Sequence, residues 1–111
     1  MDEARGERIA RNESAYRQVN EAIEAGRADS GEDVPRPFVC ECGQLGCNQL
    51  VELTMREYEA VRANPRHFLM VEGHEIPDVE FVVERRDRYV VAEKHDHEAQ
   101  IAEATDPRTA G

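Results

Sequence analysis

Three cysteines fall within eight residues, Cys40-Glu41-Cys42-Gly43-Gln44-Leu45-Gly46-Cys47, and this C-x-C-x4-C run constrains the fold more than any other feature. Alternate residues of an extended chain face the same way, so Cys40 and Cys42 can present both sulfurs to one point where the backbone bends. Gly43 and Gly46 are expected to permit that bend, and the loop brings Cys47 back. A tetrahedral zinc ion, with bonds of about 2.3 Å to sulfur, holds thiolates closer together than an ordinary core does. Three sulfurs leave one position, and a histidine nitrogen would close a Cys3His site of the structural kind. His74, in Glu72-Gly73-His74-Glu75, is the favoured fourth ligand, because Gly73 allows a turn that points the ring back at the cysteines; His67 is the alternative. Buried free thiols are the competing reading. A Cys40–Cys42 disulfide would close a small strained ring and suits an oxidising compartment.

Composition strengthens the need for a metal. Aromatic residues make up 5% of the 111 and there is no tryptophan, so the core is built mostly from Val, Ile and Leu. A segment as short as 38–94 forms a marginal hydrophobic core unless a metal, disulfide or partner assists it. Zinc would then contribute folding energy directly.

The remaining pattern divides the chain into four. Residues 1–27 lack proline, and Ile9, Tyr16 and Ile23 recur every seven residues with Val19 on the same face, which predicts one amphipathic helix. Residues 28–37 are rich in turn formers and end in two close prolines, as an extended linker does. Residues 38–94 form the expected zinc-binding unit. In it, Phe38–Cys42 and Leu50–Leu53 read as short strands. Thr54-Met55-Arg56-Glu57 is a capping box opening a helix that stops before Pro65. Phe68–Val71 reads as a further strand, and Val79–Glu84 with Arg88–Glu93 as an antiparallel hairpin turning at Arg86-Asp87. Residues 95–111 hold one large aliphatic residue, Ile101, and four acids against one base, so an acidic flexible tail or a short marginal helix is expected. The predicted class is α+β: a short antiparallel sheet and one packed helix stapled by zinc, preceded by the amphipathic helix.

Within this compact part, the run Phe38-x-Cys40-Glu41-Cys42, Cys47, Leu53-Thr54-x-x-Glu57-Tyr58-Glu59-x-Val61-Arg62, Pro65-x-x-Phe68, Gly73-His74-Glu75, Val82-Val83-Glu84 and Tyr89-Val90-Val91 resembles a group of short proteins from high-GC actinobacteria. The helix motif from Arg11-Asn12-Glu13 through Val19-Asn20-Glu21 to Ile23 is similar too, so the resemblance covers most of residues 8–94. It favours His74 over His67 and implies no activity. Glu72 stands where that pattern would have a proline.

Charge narrows the functions. The net charge of −10, from 24 acids and 14 bases, repels phosphate backbones and anionic lipid, so nucleic acid is an unlikely partner and a membrane is not expected. Arg85-Arg86-Asp87-Arg88 is the nearest thing to a basic patch and reads as a solvated turn. No phosphate loop or nucleophile elbow occurs, and the paired acids Glu57 and Glu59, and Glu80 and Glu84, read as surface charges, so no catalytic residue is assigned. His95-Asp96-His97 reads as solvated tail rather than a second metal clip. The expectation is a cytoplasmic, non-enzymatic adaptor or regulator, its helix face Ile9, Tyr16, Val19 and Ile23 docking on a protein partner or on its own copy. A redox-responsive regulator that releases zinc is the alternative, and a thiol or zinc enzyme a more distant one.

Overall fold

Local sequence accounts for most of the elements. A computed structural model describes residues 3–27, 33–44 and 46–108 of the chain. In order these form helix α1 (Glu3–Ala25), strands β1 (Arg36–Val39) and β2 (Leu50–Leu53), helix α2 (Met55–Arg62), strands β3 (His67–Met70), β4 (Glu80–Arg85) and β5 (Val90–Lys94), and helix α3 (Asp96–Ala104). The class is α+β, as the sequence predicts. Residues 28–32 of the expected linker and Leu45 of the cysteine loop lie outside the described residues, while Arg36 and Pro37 already belong to β1.

The capping box forms as expected: Thr54 Oγ1 accepts the Glu57 amide at 3.0 Å, and the Glu57 carboxylate accepts the Thr54 amide at 2.8 Å. It starts α2 where the chain leaves β2. There is not one sheet but two. β1 and β2 pair antiparallel, Phe38 opposite Val51, and β3, β5 and β4 form a second antiparallel sheet in the order β3-β5-β4. The predicted hairpin is present, with a bulge between Val82 and Glu84. The core has two parts. Phe38, Leu53, Tyr58, Val61 and Leu69 fill one, with Phe38 and Tyr58 stacked at 4.6 Å; Cys40, Cys42, Phe68, Met70 and Ala102 fill the other.

Two regions take a more definite form than the sequence indicates. Residues 96–104, expected as a flexible acidic tail or a short marginal helix, form the helix α3, whose Ala99 and Ala102 are buried and which lies against α1 and β5. Alanine buries little area but allows close helix approach, so a count of large aliphatics misses it. Beyond α3, Ser14 and Thr105 share a hydrogen bond of 2.7 Å, and Asp106 forms a buried ion pair with Arg62. The second region is α1. At about 100° per residue, Glu13, Arg17 and Asn20 share an arc beside the one carrying Ile9, Tyr16, Val19 and Ile23, and it is this polar arc that is fully buried. The expected partner-binding stripe is split accordingly: Ile9 is buried, Ile23 packs against the Phe38 cluster, Tyr16 is half-buried and Val19 is 46% exposed. The helix turns this way because its long polar side chains reach specific partners. Arg17 donates to the Pro65 and Ala102 carbonyls, both at 2.7 Å, and lies 4.4 Å from the Phe68 ring centroid. Lys94 is fully buried between Glu13 and Glu80.

Arg17 thus joins α1 to the turn before β3 and to α3. Arg17→Ala leaves both carbonyls without that donor and removes the stacked guanidinium, so the expected destabilisation is about 3 kcal/mol, read as a fall in urea midpoint with unchanged slope. A loss below about 1 kcal/mol contradicts the assignment.

Candidate metal centre

The cysteine run leaves β1 and crosses to the end of β3. Cys40 continues the β1–β2 ladder by donating its amide to the Gln49 carbonyl at 3.0 Å, and the Glu41 amide then bonds to the Leu69 carbonyl of β3 at 2.9 Å. The segment is therefore pinned to both sheets. Alternation along it sends the Cys40 and Cys42 sulfurs to one side and the Glu41 side chain to the other. Gly46 takes φ 79°, the left-handed region that favours glycine, and brings Cys47 back. His74 comes from the loop after β3. Its own turn is closed by its amide bonding to the Val71 carbonyl at 3.0 Å, and Gly73 before it takes φ 88°, as the expected turn requires.

These elements bring Cys40, Cys42, Cys47 and His74 together, with one donor atom from each lying within 4.8 Å of the others. Among the described residues this is the one such group of metal-ligating side chains. The Nδ1 atom of His74 is 3.5 Å from the Cys40 sulfur and 3.6 Å from the Cys47 sulfur. Metal bonds of about 2.3 Å to sulfur and about 2.0–2.1 Å to nitrogen, at tetrahedral angles, place sulfur and nitrogen about 3.5–3.6 Å apart. The residues fit a four-coordinate metal ion. His67 does not take part, since its ring bonds to Glu93 at 2.8 Å from the start of β3. His97 bonds to Glu7 and His95 stacks on Phe81, so neither joins the centre.

The surroundings act on the sulfurs in two opposed ways. The Val71 amide donates to the Cys40 sulfur at 3.3 Å. Burial pushes the Cys40 and Cys42 thiols up from their ordinary value, so these sulfurs hold their protons until a cation takes their place. The buried side is apolar, formed by Phe68, Met70 and Val90. The open side is polar and uncharged, lined by Gln44, Gly46, Asn48 and Gln49 around Cys47 and His74. Gln44 donates to the His74 carbonyl at 3.1 Å and ties the cysteine loop to the histidine loop.

Periodicity did not reveal the residues behind the knuckle. The buried Glu41 carboxylate accepts the Leu69 amide at 3.1 Å and the Asn20 side-chain amide at 2.8 Å, and burial raises its pKa to about 7. Asn20 also brackets Val39, donating to its carbonyl at 2.9 Å and accepting its amide at 2.8 Å. Gly43 is small because of α1, not because of a positive φ: a β-carbon there would lie 2.5 Å from Ile9 Cγ2 and 3.2 Å from the Ile9 carbonyl.

Fold and site together define a small α+β protein carrying a Cys3His group that can hold a metal ion. The chain matches no family model, no curated protein and no solved structure. Among the described residues no helix is long and apolar enough to cross a membrane.

Metal analysis of the reduced protein beside single variants checks the ligand set. One equivalent of metal is expected in the parent and in His67→Ala, and less than about a tenth of that after dialysis in Cys40→Ser, Cys47→Ser and His74→Ala, since each removes one bond of a closed tetrahedral site. Full retention by His74→Ala, or loss in His67→Ala, contradicts the assignment.

Proposed function

We propose that the centre is a structural zinc site and that the protein is a non-enzymatic adaptor or regulator acting through protein–protein contacts. The observation that carries the zinc reading is the 3.5 and 3.6 Å spacing of His74 Nδ1 from two sulfurs in a three-thiolate set. Three soft thiolates with one imidazole suit zinc better than magnesium or calcium, which prefer oxygen donors. Four protein donors close the tetrahedron and leave no position for a water, which supports a structural rather than a catalytic role. A reducing compartment such as the cytoplasm suits free thiols of this kind. The net charge of −10 favours a protein partner over nucleic acid, and Val19, Leu50, Phe81 and Val83 offer exposed apolar contacts. We also propose, on the residues quoted for the resemblance alone, that the chain belongs with short proteins of high-GC actinobacteria.

The redox-responsive reading has one observation in its favour: Cys47 is only half-buried and faces the open side of the centre. Oxidation of that sulfur by peroxide would remove a ligand and release the metal.

Removing the metal separates these readings. Stripping zinc from the reduced protein with a chelator is expected to lower Tm by roughly 10–20 °C, the equivalent of a few kcal/mol in a domain of about this size, and added zinc to restore it. A shift below about 2 °C contradicts a structural role. In the same assay mild peroxide releases zinc stoichiometrically if the centre is a redox switch and leaves it bound if the centre is purely structural.

A further inference from the structure

The back of the cysteine knuckle is covered by α1, and it is held there by directional contacts rather than by a greasy face. Asn20 satisfies both backbone groups of Val39 and one oxygen of Glu41. Those residues precede Cys40 and separate it from Cys42. Ile9, one side of the same helix and three turns earlier, sits on Gly43 so closely that a methyl group there would overlap it. Both ends of the Cys40–Cys42 segment are therefore shaped by α1, although no α1 residue is a ligand. We infer that α1 is part of the metal centre, with Asn20 and Ile9 as positioning residues, so that zinc occupancy and the docking of α1 are thermodynamically linked.

The physical reason is mutual. Zinc requires the Cys40 and Cys42 sulfurs on one side of the segment, and that alternation aims Glu41 at Asn20. When zinc leaves, the tie from the cysteine run to His74 is lost and the Glu41 carboxylate is less constrained toward Asn20, while Val39 stays in the β1–β2 ladder. The apolar contribution on this face is small, with Ile9 and Ala10 the buried apolar side chains of the first half of α1. Docking there depends on geometry, which makes it responsive to the metal. The inference rests on the zinc reading of the Cys3His group.

Linkage is reciprocal, so the test runs in both directions on the full chain with zinc as the probe. Zinc affinity is measured by competition with a chromophoric chelator for the parent, Asn20→Ala, Ile9→Ala and Val61→Ala, the last a core residue of α2. Asn20→Ala and Ile9→Ala are expected to weaken zinc roughly tenfold, within the usual range of coupling between sites, and Val61→Ala to stay within about twofold of the parent. Hydrogen exchange of the parent after chelation is expected to speed up in residues 9–20 before α2 and β5. Ile9→Ala keeps the test decisive if Asn20→Ala fails to fold. Parent-like affinity in the α1 variants, an equal loss in Val61→Ala, or unchanged protection of α1 in metal-free protein overturns the inference. A parent that binds no zinc overturns the underlying zinc reading instead, and that result is seen before any variant is compared.

Discussion

The convergence of three sulfurs and one imidazole nitrogen is the constraint on which the rest of the structure depends. A two-stranded ribbon such as β1–β2 is marginal in water on its own, and the β3-β5-β4 sheet is only three strands wide. The cysteine run issues from the first sheet and the histidine loop from the end of the second. A metal ion held by both would fix their relative position. The backbone bonds from Cys40 to Gln49 and from Glu41 to Leu69 act along the same line. They align the two sheets, and the metal would lock that alignment from the side.

A second layer of the structure is ionic. Arg17, Glu13, Glu41, Glu80, Lys94, Arg62 and Asp106 are all nearly inaccessible to water. Buried charges add little net stability against apolar replacements, but removal of one partner is costly because the other stays buried and unpaired. In this layer the buried side chains of α1 meet specific partners on α3 and β5 and in the turn before β3. The last described residues join it: Arg108 reaches Glu21 and Glu59 at 2.6 Å, and Tyr58 donates to Glu21 at 2.8 Å. Residues just after α3 are thus tied back to the second half of α1 and to α2.

What the sequence made legible follows from how local each signal is. The capping box at Thr54 and Glu57, the Val-rich hairpin and the cysteine spacing each depend on residues a few positions apart, and each appears in the fold as expected. The choice of His74 over His67 rested on Gly73, whose φ of 88° is what the turn needs. The docking of α1 and α3 was hidden for a different reason. Its buried residues are Arg, Glu, Asn, Ser and Ala, which hydrophobic periodicity assigns to the outside, and their partners lie up to 91 positions away in the chain. The apparent heptad of Ile9, Tyr16, Val19 and Ile23 fell at the margin of the buried arc. Gly43 was read as a bend, and its role as the seat of Ile9 required the position of α1 to be known.

X-ray absorption at the zinc edge of the purified, reduced protein addresses the central claim most directly, because it counts ligand types and bond lengths without relying on stability or mutation. The account predicts a four-coordinate zinc with three sulfurs at about 2.3 Å and one imidazole nitrogen at about 2.0–2.1 Å. A first shell of nitrogen and oxygen alone, or one with fewer than three sulfurs, would contradict it.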